Sequence, residues 1–566
     1  MKRTRALSAA MGLGSLALVG ALLAPDLTSA GYTDSTFARS SLSTAAIPER
    51  SHSASDLSSA SALELSEAGE LYVTGYRGTG DGNGNVNTAP TADPTRVKFP
   101  SGVRIVDAGG STNDFSEATF PGTTSFMALD SDGGVWTWGA PYGGRNLLGR
   151  GSLSVGDSAR AGRVTQTTTG EALPPIVSMA RIENQFLALD ATGTLWAWGY
   201  GGENLPYSKG AISQPLPFPV RESGERMGNS GCHTASGSRA NAGEVAWRSI
   251  WGGSNGAAGV GRDGLVYSWG FDSSAGTPGS TYVHTRCPAL NEGANRALFQ
   301  RYPDVYRTAN GAVYDESSLS TEEARTQRYL EIVSDMRGSV IPSCDGSLGV
   351  SQIDDSGCPV RQFGVDARHY RMLTSQGELL TWMTGARNGY GTKFLGRTPS
   401  ETTPEEVPAP VAGDLKIDRV AAGVSSMVAL GADGVVYGWG DNNACQAVGA
   451  PTINGAVTGG TCASVSNVGA ANTRYWVQQP MPVADIPAGV RVTAISSAAC
   501  STWASTADGA EYAWGGGLVS GYLFNRCSVP GGAAAGYKIY EANKATIDQP
   551  FGSPIADAAT GTVRVK

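Results

Sequence analysis

The sequence predicts an all-β protein, a seven-bladed β-propeller of four-stranded blades, on three observations. One short hairpin pattern recurs seven times, around Gly69, Gly133, Gly193, Gly264, Gly377, Gly434 and Gly509. Its clearest copies read LDSDGGVWTWG, LDATGTLWAWG, VGRDGLVYSWG and LGADGVVYGWG. The 566 residues include 77 glycines and only 16% charged side chains, which suits a large core crossed by many tight turns. A repeated hairpin unit cannot bury its apolar faces alone, and closing such units into a ring also removes exposed sheet edges.

The chain opens as an export signal. Lys2, Arg3 and Arg5 precede an apolar run from Ala9 to Ala24, and Thr28-Ser29-Ala30 offers small residues for cleavage. The run is short for a bilayer span and ends in Pro25-Asp26, so residues 1–30 are expected to be a cleaved signal peptide rather than an anchor. Cleavage leaves 39 basic and 49 acidic residues and moves the formal charge from −8 to −10. An acidic chain with scattered basic residues argues against nucleic acid or an anionic membrane surface as partner. No second stretch of spanning length follows, so the expected location is secreted and extracellular. Residues 31–60, rich in Ser, Thr and Ala without period, are expected to be a flexible lead-in, with the propeller over 61–566.

Each repeat has the same internal logic. An apolar residue stands four positions before the glycine (Leu65, Leu129, Leu189, Val260, Leu373 and Leu430), with Ser505 in the seventh copy. Asp132, Asp263, Asp433 and Asp508 precede the glycine, and Asp-Gly supplies the positive φ of a tight hairpin. Three positions after it come Tyr72, Trp136, Trp196, Tyr267, Tyr437 and Tyr512, with Leu380 as the exception. Two further on stand Trp138, Trp198, Trp269, Trp382, Trp439 and Trp514, with Thr74 in the first copy. Side chains alternate along a strand, so both columns share one face. Recurrence in nearly every repeat predicts that these tryptophans are inter-blade core rather than ligand-binding aromatics. Glycine follows the tryptophan except at Met383.

Flanking strands complete each blade. RIVDAG near Ile105, IVSMA near Val177, RSIWGG near Ile250, IDRVAAG near Val420 and RVTAIS near Val492 precede the hairpins. DPTRV, FPVRE, PEEVP and PMPVA follow them. The final SPIADAATGTVRVK matches the preceding strand type, so Ile555 to Ala558 is expected to join the N-terminal blade and close the ring. Glycine spacings of 64, 60, 71, 113, 57 and 75 place an insertion of about 50 residues within 271–365. There Ser320 and Glu323 fit a capping box, and Tyr329, Ile332, Val333 and Met336 fall on one face of a helix of three to four turns.

Eight cysteines, an even number in an exported chain, read as disulfides: Cys232, Cys287, Cys344, Cys358, Cys445, Cys462, Cys500 and Cys527. The sequence does not choose among the pairings; joining neighbours is the simplest expectation, because each pair then staples one inserted loop. With no CxxC pair and four histidines, zinc ligation is not expected.

The repeat just described resembles that of the regulator-of-chromosome-condensation-1 (RCC1-like) family. The likeness covers most of residues 60–566 and implies a seven-bladed propeller whose terminal blade mixes both chain ends. The family's Gly-x-x-His entry is mostly lost: Gly253 and Gly423 keep the glycine, and only His369 takes the histidine position. The founding member exchanges nucleotide on a small GTPase and binds chromatin, whereas secreted bacterial propellers of this kind use a propeller face to bind proteins. The export signal, the cysteines and the acidic balance align this chain with the secreted bacterial type.

No catalytic constellation stands out. LALDATGTLW resembles a quinoprotein repeat in a single copy, around Asp190 and Trp196. Gly80 to Asn85 has alternating oxygen side chains, yet Val86 and Ala92 occupy the glycine and acidic positions of a calcium loop, so a turn is the better reading. His52, His233, His284 and His369 have no metal spacing. The expectation is a monomeric, non-enzymatic, secreted module with no cofactor, binding a protein or cell-wall component. The alternatives are a quinoprotein-like or polysaccharide-active propeller enzyme and a purely structural surface module.

Overall fold

The computed structural model describes residues 37–39, 50–54, 61–66, 69–75, 81–85, 91–111, 125–139, 148–182, 185–201, 212–220, 245–252, 256–270, 285–345, 357–366, 369–383, 394–422, 426–442, 446–448, 452–453, 456–457, 468–471, 474–483, 486, 489–498, 501–506, 511–515, 554–557 and 562–565. The expected signal segment 1–30 lies outside them. Among these residues, seven antiparallel sheets of four or five strands follow one another along the chain.

Each sheet carries one repeat hairpin at its centre: Ser61–Ser66 with Leu71–Gly75, Ser125–Asp130 with Val135–Gly139, Gln185–Asp190 with Leu195–Gly201, Gly256–Gly261 with Val266–Gly270, His369–Thr374 with Leu379–Met383, Ser426–Gly431 with Val436–Asp441, and Ser501–Thr506 with Glu511–Gly515. From the second sheet on, the preceding strands are Ile105–Ser111, Ile176–Ile182, Trp247–Gly252, Val360–Asp366, Ile417–Ala422 and Val492–Ala498. After the second hairpin, a single helical turn, α1 (Val155–Ser158), leads to the short outer strand Gly162–Arg163.

Packing follows from the period-two alternation, because both faces of the second to sixth sheets are covered. The strand Ser125–Asp130 is buried at every position. One face of its hairpin, with Phe126, Trp136 and Trp138, joins Leu65, Leu71 and Val73 of the first sheet. The other face, with Met127, Leu129 and Val135, joins Ile176, Met179 and Phe186 of the third. Leu373 and Leu379 likewise meet Ile417 and Trp439, and Val428 and Leu430 meet Val492 and Ile495. Trp138, Trp198, Trp269, Trp382 and Trp439 have no exposed surface. Directly across the hairpin, Phe126 stacks on Trp138 at 5.2 Å and Phe186 on Trp198 at 5.4 Å. The side chain of Trp514 lies outside the described residues.

Backbone hydrogen bonds stitch consecutive sheets at the hairpin glycine. The carbonyls of Gly69, Gly133, Gly193, Gly377 and Gly434 accept from the N–H groups of Ile105, Ile176, Trp247, Ile417 and Val492 at 2.8–3.1 Å. Gly133 has φ +80°, and a Cβ there would lie 2.8 Å from the Ile176 nitrogen, so turn conformation and close approach both demand glycine. The turn carboxylates are held in two ways. Asp130 and Asp190, at strand ends, accept from the indole N–H of Trp136 and Trp196 at 2.8 and 2.9 Å. Asp263 and Asp433, next to the glycine, accept from the hydroxyls of Tyr267 and Tyr437 at 3.0 and 3.2 Å.

A second local motif was not read from the sequence: Leu148-Gly149-Arg150 and Leu395-Gly396-Arg397. Thr137 and Thr381 donate to the Leu148 and Leu395 carbonyls. Gly149 and Gly396 take φ +76° and +65° against the indoles of Trp198 and Trp439 in the next sheet. Buried Arg397 donates to the carbonyls of Thr381, Thr403, Pro404 and Val407.

Several expectations need correction. Pro554–Asp557 does not join the N-terminal sheet; it pairs with Thr562–Val565, which pairs with Glu511–Gly515 of the seventh sheet. The place beside Ser61–Ser66 is filled by Arg50–Ala54, itself paired with Phe37–Arg39, both inside the segment expected to be lead-in. A strand joined by a short connection needs far less loop-closure entropy than one hundreds of residues away. The outer strand of the fifth sheet is Ala409–Pro410, just beyond PEEVP, because Val407 is used in a turn to Pro404. Met383 ends its strand without the left-handed step that Gly139, Gly199 and Gly440 take, and its N–H donates to the Glu405 carbonyl.

Candidate functional site: the helical insertion

Between the fourth and fifth sheets the chain builds a two-helix module, α2 (Glu292–Arg301) and α3 (Glu322–Met336). In α3 the cap is Thr321, whose hydroxyl accepts from the Ala324 N–H at 3.2 Å, so the expected Ser320–Glu323 capping box is displaced by one residue. Tyr329, Ile332, Val333 and Met336 are its buried face. Helix α2 was missed by sequence reasoning; Asn291 as cap and apolar Ala294, Ala297 and Leu298 at helical spacing were the available signal.

The module is fastened to the fourth sheet by side chains that imitate backbone. Asn295 both accepts from the Val266 N–H at 2.8 Å and donates to the Val266 carbonyl at 3.0 Å, as a neighbouring strand would. Asn291 caps α2 through Ala294 and donates to Ser268 at 3.1 Å. The hydroxyl of Tyr306 donates to the Gly264 carbonyl at 2.7 Å. The Ile341 N–H donates to the Arg262 carbonyl at 2.9 Å. Toward the fifth sheet, Arg301 pairs with Glu378 at 2.5 Å and Tyr302 bonds Ser375 at 3.1 Å. Cys344 and Cys358 are joined in a disulfide, Cα to Cα 4.7 Å, closing the module onto the strand at Val360. The side chains of Cys232, Cys287, Cys445, Cys462, Cys500 and Cys527 lie outside the described residues.

Inside the module, Arg296 is the electrostatic hub. Its guanidinium meets Glu292 at 2.5 Å and Glu322 at 2.9 Å, donates to Tyr314 and Thr326 at 3.0 Å, and lies 5.6 Å from the Tyr329 ring centroid. Burial disfavours its charge, but Glu292, Tyr314 and Glu322 together more than offset that and raise its pKa. Burial pushes the Tyr314 hydroxyl up to about 12, and drives Tyr306 well above its usual range with help from Asp263 and Tyr302.

The outward side is polar and grooved. Between α3 and the turn around Asn310 lies a cavity of about 1080 Å³ with Leu330 on its wall, and Leu330 is 57% exposed. The Asp335 carboxylate accepts from the Ala309 N–H at 2.7 Å, and Arg328 donates to the Val313 carbonyl at 3.0 Å, so both walls are tied together. Such a groove supports recognition by contact and charge.

The other candidates have structural employment. Asp81 accepts from the N–H groups of Asn83 and Asn85 and from both of their side-chain amides, which leaves a turn rather than a cation cage. The Asp190 carboxylate takes Thr192, Thr194 and Trp196 as donors. His369 begins its strand with its ring 4.7 Å from that of Phe394. Among the described residues, no three of His, Cys, Asp and Glu are grouped to hold a metal, and no helix is long and apolar enough to cross a membrane.

No family model matches the sequence, and no curated relative does. In structure the chain is similar to yeast RCC1 (Prp20) bound to Kap60, at 15% identity and TM-score 0.46, over 91% of this chain and 86% of that one. It is similar to Prp20p from Saccharomyces cerevisiae, a protein studied for its binding to Gsp1p and histones, at 14% identity and TM-score 0.48, over 87% and 83%. Human WBSCR16 is a further likeness, at 14% identity and TM-score 0.44, over 78% and 83%.

Proposed function

We propose that this chain is a secreted RCC1-like, seven-bladed propeller that acts as a non-enzymatic, monomeric binding module for a protein or cell-envelope component. The circuit of sheet contacts supports the closed ring: the seventh sheet's strand Val492–Ala498 adjoins Phe37–Arg39 and Arg50–Ala54 of the first. The seven repeat hairpins quoted from the sequence support the RCC1-like reading. The single observation that carries the function is the helical module, bolted to two sheets by Tyr306, Asn295, Arg301 and the Cys344–Cys358 disulfide while its outer groove stays open. Recognition is commonly placed on such segments borne by a rigid scaffold.

The test immobilises the chain from residue 31 onward and passes envelope and culture-supernatant fractions over it. The expected result is saturable retention of a defined protein or wall component, displaced by free chain. Absence of any saturable ligand, or turnover of a polysaccharide or alcohol substrate, overturns the reading.

A further inference from the structure

The groove on α3 has a chemistry that selects its occupant. Glu322, Glu323, Glu331 and Asp335 line it; Arg296 and Arg325 pair with Glu322 and Arg328 pairs with Glu331, so the groove keeps an excess of negative charge, with Leu330 standing exposed among them. Glu323, Gln327, Leu330 and Ser334 follow one another at helical spacing, on the side of α3 away from buried Tyr329, Ile332, Val333 and Met336. The walls are held by the Asp335 and Arg328 bonds to the facing turn, so the cleft exists before any ligand arrives and little ordering is needed to fill it.

We infer that this groove docks a basic peptide segment of a partner protein, one apolar side chain packing on Leu330 while flanking Lys or Arg side chains meet the carboxylates. An acidic segment is repelled by the excess negative charge, and a wholly apolar one adds no cation to meet Glu323 and Asp335. This assignment rests on the binding-module reading and narrows it to one surface and one ligand chemistry.

The test uses the full mature chain and three fluorescent 15-residue peptides, followed by anisotropy. One alternates Lys and Ala around a central Phe, one replaces the Phe by Ala, and one replaces every Lys by Glu. The first is expected to bind at least tenfold tighter than the other two, and to weaken as salt rises from 50 to 300 mM, as interactions between exposed charges do. Leu330→Ser and the double variant Glu323→Gln/Glu331→Gln are each expected to weaken it at least tenfold. Leu330 and Glu323 are exposed and Glu331 is partly exposed beside Arg328, so an unchanged near-ultraviolet spectrum and melting temperature certify the fold. Equal binding by the Phe-free peptide, or wild-type affinity in Leu330→Ser, overturns the groove. If Leu330→Ser still captures the envelope ligand, the groove assignment fails while the binding module stands; if the wild-type chain captures nothing, the module reading itself fails.

Discussion

The Tyr306 hydroxyl donates to the Gly264 carbonyl at 2.7 Å, taking the place that a backbone N–H of the next sheet holds at Gly69, Gly133, Gly193, Gly377 and Gly434. The insertion therefore does not hang from a loop. It occupies the seam between the fourth and fifth sheets and supplies the hydrogen bond that it displaces. Tyr306→Phe leaves that carbonyl without its phenolic donor and is expected to cost about 1–3 kcal/mol in urea unfolding. Tyr302→Phe, at a partly exposed bond to Ser375, serves as the milder control. Equal midpoints for Tyr306→Phe and wild type would contradict the seam assignment.

Two buried tyrosines, Tyr306 and Tyr314, set an alkaline limit. Burial raises the folded-state pKa of Tyr306, and that of Tyr314 to about 12, against an ordinary value of 10.0. Their protonated forms favour folding fully below pH 10. As pH rises above 10 the unfolded chain releases these protons first, and stability falls by about 1.4 kcal/mol per pH unit per group until the folded group titrates. For Tyr314 that window runs from 10 to about 12. Unfolding titrations across it should show a shallower decline in Tyr306→Phe than in wild type; identical slopes would count against a buried Tyr306.

Gly133→Ala should be far more harmful than Gly102→Ala. Both residues have positive φ, +80° and +89°, but a Cβ at Gly133 would lie 2.8 Å from the Ile176 nitrogen, while at Gly102 nothing lies within 4 Å. Backbone strain alone costs about 1 kcal/mol, and displacing the neighbouring strand adds about 2 kcal/mol or more. Similar losses at the two sites in denaturant titration would refute the close approach.

Most of the scaffold was legible because it repeats. The Leu-Asp-Gly-aromatic-Trp pattern gave strand, turn and buried face together, and Trp138 through Trp439 lie in the core. The helix α3 could be read from Tyr329, Ile332, Val333 and Met336, since amphipathic spacing is local information. What escaped depends on other parts of the chain. The partner of a terminal strand is decided by competition between distant segments, so Pro554–Asp557 was assigned to the wrong sheet. Asn295 acting as a strand and Tyr306 acting as an amide carry no sequence signature. The groove beside Leu330 needed the fold of the 308–312 turn to exist at all.

Arg397→Lys is expected to behave as a disruptive change. Burial lowers the arginine's pKa, yet its fork reaches the carbonyls of Thr381, Thr403, Pro404 and Val407, which one ammonium cannot span. A loss of about 2–4 kcal/mol by chemical denaturation is expected. A neutral outcome would mean that these bonds are not structural.

The double variant Cys344→Ser/Cys358→Ser opens a loop of sequence separation 14, and the expected loss is about 3 kcal/mol. Calorimetry of the variant and of wild type with and without reductant checks it. A wild-type melting temperature unchanged by full reduction would speak against the staple.

Hydroxyl-radical footprinting read at single residues by mass spectrometry addresses the stacked-sheet arrangement itself. Trp138, Trp198, Trp269, Trp382 and Trp439 are expected to stay unmodified in the native chain and to react once it is unfolded. Labelling of several of these indoles under native conditions, at the rate of free tryptophan, would contradict the packing from which everything else here is built.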